Sequence, residues 1–114
     1  MRPMNVDVSN ANFVDIPGFR GLRVARIGTK LGQSLELIDA ASGVIIPALK
    51  HPSAESGRVL SGSLRFMQDG VVKTLRAGDT WTVAADQTQG PHVILEDGTR
   101  VAILRSGRSA LDIV

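Results

Sequence analysis

Residues 43–79 read GVIIPALKHPSAESGRVLSGSLRFMQDGVVKTLRAGD. Apolar residues in this stretch fall in short runs broken by Gly57, Gly62, Gly70 and Gly78, and helical periodicity is almost absent. Leu64 and Phe66 sit two apart, on one face of an expected strand. Between residues 63–68 and 71–75 stands Asp69-Gly70, a pair that supplies the positive φ angles a two-residue turn needs. The stretch therefore predicts a β-hairpin inside an all-β domain.

The same pattern extends to both sides. Twelve glycines punctuate the chain, and further strands are expected at 21–28, 34–39, 43–50, 57–61 and 80–84. A second hairpin is expected where 93–96 and 99–104 flank Asp97-Gly98. Eight or nine short strands without helices favour a sandwich, a jelly roll or a small barrel. At 114 residues the chain is one domain, able to bury about 65% of its unfolded surface. Residues 1–10 are expected as a loose arm or an edge strand, and 11–114 as the single β domain.

Composition excludes several classes. There is no cysteine, so disulfide frameworks, thiolate metal sites and cysteine nucleophiles are all absent. The net charge of +2 and the four scattered aromatics, Phe13, Phe19, Phe66 and Trp81, argue against a nucleic-acid partner. Arg20, Arg23 and Arg26 form the densest basic stretch, and Arg105 and Arg108 read as a solvated strand end. The opening MRPMNVDVSNANF is polar and lacks the apolar core of a secretory signal. The longest apolar run, 44–49, is far too short for a membrane span and contains Pro47. A soluble cytoplasmic protein is the expectation. G-x-S-x-G, G-x-G-x-x-G and the phosphate-binding G-x4-G-K-[ST] do not occur.

The run from Gly43 to Gly62 resembles the first motif of the cupin superfamily, G-x5-H-x-H-x3-4-E-x6-G. Leu49 takes the first histidine position, His51 the second and Glu55 the carboxylate, with Gly43 and Gly62 at the two ends. The second motif, G-x5-P-x-G-x2-H-x3-N, opens at Gly78 and is matched less well. Ala84 replaces its proline, Asp86 its glycine, Gln89 its histidine and Val93 its asparagine. The resemblance spans roughly residues 30–105. It implies a double-stranded β-helix, that is, a jelly-roll barrel, with a pocket in its mouth and commonly a homodimer.

Metal-binding members of that family use two histidines and a glutamate from the first motif and one histidine from the second. Transferred here, the pocket positions are Leu49, His51, Glu55 and Gln89. Leu49 cannot donate to a metal, and Gln89 offers only a neutral oxygen. Strand alternation puts His92 on the face opposite Gln89 unless a bulge at Gly90-Pro91 shifts the register. With that bulge, His51, Glu55 and His92 would form a two-histidine, one-carboxylate set for iron, manganese, nickel or zinc. Arg58 and Arg65 are expected to face outward, and Trp81 is expected in the core.

Two functions follow from these readings. One is a small-molecule-binding cupin-like domain without a complete metal site. The other is a metal-dependent dioxygenase or isomerase using His51 and Glu55 with Gln89 or His92. A purely structural dimerisation domain is a third, decided by whether the barrel interior is open.

Overall fold

A computed structural model describes residues 12–28 and 33–106, so the expected arm at 1–10 lies outside the described residues. Twelve strands follow in chain order: β1 (Val14–Asp15), β2 (Leu22–Gly28), β3 (Gln33–Ala40), β4 (Ile45–Ile46), β5 (Leu49–Lys50) and β6 (Glu55–Ser61). They continue with β7 (Ser63–Gln68), β8 (Val71–Arg76), β9 (Thr80–Val83), β10 (Thr88–Gln89), β11 (His92–Ile94) and β12 (Thr99–Ser106). Among the described residues no helix is long and apolar enough to cross a membrane.

The first sheet runs β1-β2-β3-β12-β6-β9, and the second runs β4-β11-β7-β10-β5 with β8 added beside β7. Every strand pair is antiparallel. Every connection except β1–β2–β3, β4–β5, β7–β8 and β10–β11 changes sheet. That repeated crossing makes a jelly roll, and the all-β expectation holds. The core lies between the sheets, with Leu22, Ile38, Val59 and Val101 from the first facing Ile46, Leu64, Phe66 and Ile94 from the second. A smaller apolar group, Ala25, Leu37 and Ala102, lies apart from this core and packs with Phe13.

The Asp69-Gly70 hairpin forms as expected, with positive φ at both residues (52° and 74°) and six residue pairs from Ser63↔Arg76 to Gln68↔Val71. The second expected hairpin does not form. Around Asp97-Gly98 the chain leaves β11 in one sheet and enters β12 in the other. Three polar residues hold that corner: Ser63 N–H donates to Thr99 Oγ1 at 3.2 Å, Thr99 Oγ1 donates to Glu96 O at 2.8 Å, and Ser63 Oγ donates to Glu96 Oε2 at 2.6 Å. The strand expected over 43–50 is also corrected. It splits into β4 and β5 around Pro47, which has no N–H to give to a ladder.

That split is matched opposite. β10 and β11 are separated by Gly90-Pro91, with Gly90 at φ +88° and its N–H donating to Met67 O at 2.8 Å. A Cβ at Gly90 would stand 2.9 Å from Pro47 O, so the two broken strands approach closely only because this residue is glycine. Against β7, Gln89 pairs Gln68 while Val93 pairs Arg65, four residues on one side for three on the other. This is the register shift of a β-bulge. Residues three apart then face the same way, and both Gln89 and His92 are buried, 4% and 5% exposed.

Candidate functional site

Cross-strand register sets the inner face of the first sheet. Val101, Ile103 and Arg105 alternate along β12, and Arg105 lies opposite Glu55 of β6, which lies opposite Val83 of β9. One step along the sheet, Ile103 lies opposite Gly57, which lies opposite Trp81. From the second sheet, the paired bulge brings in Ile46 and Leu49 on one strand path and Gln89 and His92 on the other. Together these residues line a cavity of about 40 Å³ between the sheets. That is room for a few waters or a ligand fragment of a few heavy atoms. Its walls are apolar at Ile38, Ile46, Leu49, Leu64, Val101 and Ile103, and polar where Glu55, Trp81, Gln89, His92 and Arg105 meet.

Two hydrogen-bonded groups organise the polar end. In the first, the Arg105 Nη2 donates to Glu55 Oε1 in an ion pair buried on both sides, and Trp81 Nε1 donates to Glu55 Oε2 at 2.9 Å. Both carboxylate oxygens therefore accept from fixed donors, which is what a buried charge requires. In the second, Met67 N–H donates to His92 Nδ1 at 3.2 Å, and His92 Nε2 lies 3.1 Å from Gln89 Oε1. The His92 ring also stacks on Phe66, with centroids 4.3 Å apart and planes at 15°. Burial pushes the His92 pKa from 6.5 down to about 4, so the ring is neutral at physiological pH.

The structure places the sequence-derived residues unequally. Leu49, Glu55 and Gln89 line the cavity, and His92 joins them because the Gly90-Pro91 bulge forms. His51 is buried but is not part of that lining; its main-chain oxygen accepts from Asp86 N–H at 2.7 Å. Trp81 is in the core as expected, with its indole N–H serving Glu55. Arg58 and Arg65 do not line the cavity. Two residues escaped the sequence reading. Arg105 is not a solvated strand end but a buried cation, 3% exposed, and Glu36 is a carboxylate only 1% exposed that pairs with Arg26 at 3.3 Å. Their parity with Val101 and Ile103, and with Ile38 and Ala40, was the available signal.

These residues do not fit a resident metal ion. Among the described residues no three histidine, aspartate or glutamate side chains come together as a ligand set. Glu55 already accepts from Arg105 and Trp81, so a guanidinium supplies the positive charge that a metal would bring. Gln89 Oε1 faces His92 Nε2, and Leu49 has no donor atom. The expected set of His51, Glu55 and His92 is thus not assembled among the described residues: the bulge delivers His92 to the cavity beside Glu55, while His51 is not in its lining.

Gly57 holds this arrangement from below. A Cβ there would stand 2.0 Å from Trp81 Cζ2, so the indole lies flat against the glycine. Gly57→Ala is expected to tilt Trp81 away from Glu55 and cost about 1–3 kcal/mol, the usual range for overpacking. Trp81 is the sole tryptophan. A shifted native-state fluorescence maximum together with a lower urea midpoint would verify it, and an unchanged spectrum would refute it.

No family model matches the chain, and none of the curated proteins matches it by sequence. Solved structures do match. KdgF from a Halomonas species superposes with a TM-score of 0.78 over 86% of this chain and 89% of its own, at 19% identity. An RmlC-like cupin from Shewanella frigidimarina gives 0.77 over 96% of this chain and 95% of its own, at 20% identity. The polyketide cyclase RemF from Streptomyces resistomycificus gives 0.72 over 94% and 81%, at 13% identity. At such identities the likeness is one of fold, and it agrees with the crossing pattern of the two sheets: this chain has the cupin fold.

Proposed function

We propose that this chain is a small-molecule-binding cupin domain that works without a metal ion, taking its ligand in the cavity between the sheets. The observation that carries the reading is the cavity itself, with an apolar wall facing a convergent polar end made by Glu55, Gln89, His92, Trp81 and Arg105. Ligand sites have this composition: mostly apolar surface and a few placed polar groups. The volume of about 40 Å³ fits one small group of a ligand. A fold neighbour whose name is a polyketide cyclase supports small-molecule chemistry on this scaffold. Cytoplasmic residence and a homodimer belong to the same proposal. For the dimer, support comes from Ile45 and Val72, apolar and exposed at 57% and 48% on strands of the second sheet.

The metal-independent part is tested by elemental analysis of tag-free protein after incubation with iron, manganese, nickel and zinc and removal of the excess. Substoichiometric retention, equal in wild type and His51→Ala, is the expected result. Near-stoichiometric metal that disappears in His51→Ala would overturn the reading and restore the metal-dependent dioxygenase or isomerase.

A further inference from the structure

The hydrogen bonds at the polar end fix which way the Gln89 amide points. A main-chain N–H can only donate, so Met67 N–H makes His92 Nδ1 an acceptor. A neutral imidazole whose Nδ1 accepts carries its proton on Nε2. That proton points at Gln89, so the atom facing it must be Oε1; the opposite amide orientation would set donor against donor. Gln89 Nε2 is left with its two N–H groups, on a side chain 4% exposed that lines the cavity. Among the described residues nothing accepts from Gln89 Nε2.

Charge narrows the ligand further. Arg105 is balanced by Glu55, Arg26 by Glu36, and His92 is neutral. The cavity therefore offers hydrogen-bond donors without net positive charge. An anion would enter uncompensated, at a high desolvation cost. We infer that the group bound against Gln89 is an uncharged oxygen acceptor, the carbonyl of a ketone, aldehyde or amide, carried on a small apolar body that packs against Leu49, Ile46 and Ile103. This inference rests on the cavity being the ligand site and adds the chemical class that the site selects.

The test compares two isosteric probes, acetone and acetate, by ¹H–¹⁵N NMR titration of the full chain. Acetone is expected to shift the Gln89 side-chain amide resonances saturably, with acetate at least about tenfold weaker, a difference of the size that an uncompensated buried charge gives. Gln89→Met, which keeps the bulk and removes the donors, is expected to weaken acetone about tenfold while the remaining amide spectrum stays native. Acetate binding as well as acetone, or acetone binding unchanged in Gln89→Met, would overturn the donor assignment while leaving the cavity as a ligand site. If neither probe moves any cavity resonance, the cavity reading itself falls.

Discussion

Arg105→Leu is expected to cost the domain about 3–5 kcal/mol, read as a lower urea midpoint at pH 7. The side chains of Arg105 and Glu55 are 1% and 3% exposed, so the substitution leaves a buried carboxylate without the cation that balances it. Domains of this size have about 5–15 kcal/mol in total, so the loss is a large share of it. Replacing both partners should behave differently. Arg105→Leu combined with Glu55→Leu removes the stranded charge and returns most of the stability, leaving mainly the Trp81 indole N–H without its acceptor. A double variant no more stable than the single one would contradict the stranded-charge account.

The strands were legible where local chemistry decides them, and less so where tertiary contacts do. Asp69-Gly70 and Asp97-Gly98 are the same dipeptide between apolar runs, yet only the first closes a hairpin. The second fails because Thr99, Ser63 and Glu96 tie the turn to the start of β7, and nothing near residue 97 in the sequence records a partner more than thirty positions away. The site divides in the same manner. Glu55 and Gln89 were found from motif spacing, whereas the Arg105–Glu55 pair depends on the register of β12 against β6. Alternation from Val101 through Ile103 already aimed Arg105 inward; its charge argued for solvent, and a waiting carboxylate reversed that preference. His92 turned on a condition that sequence parity could state but not decide, the extra residue at Gly90-Pro91. Once the bulge is present, the ring's neutral, hydrogen-bonded state follows from where Met67 N–H and Gln89 lie.

Acidification provides the second large expected effect, and His92 is its source. The ring titrates at about 4 in the folded chain against 6.5 ordinarily, because burial penalises the imidazolium. Between these values the unfolded chain binds a proton that the folded chain does not, so folding stability falls as pH falls through the window from 6.5 to 4. At 1.36 kcal/mol per unit the full drop is about 3 kcal/mol, with no further loss from this residue at lower pH. Local geometry acts in the same direction. Protonation would turn Nδ1 from the acceptor of Met67 N–H into a second donor facing it, and would bring a positive charge into the cavity that Arg105 also lines. Carboxylates titrate over part of the same range, so the comparison must be between proteins that differ only at this site. His92→Asn keeps a side-chain oxygen able to accept from Met67 N–H and cannot titrate. Urea denaturation of both proteins at steps from pH 7.5 to pH 4 should show the wild type losing about 3 kcal/mol more than the variant, with the divergence beginning near pH 6.5. Parallel curves over that range would mean that the imidazole accepts its proton without penalty, and that the His92–Gln89 contact is not held in the neutral form on which the ligand selectivity of the cavity depends.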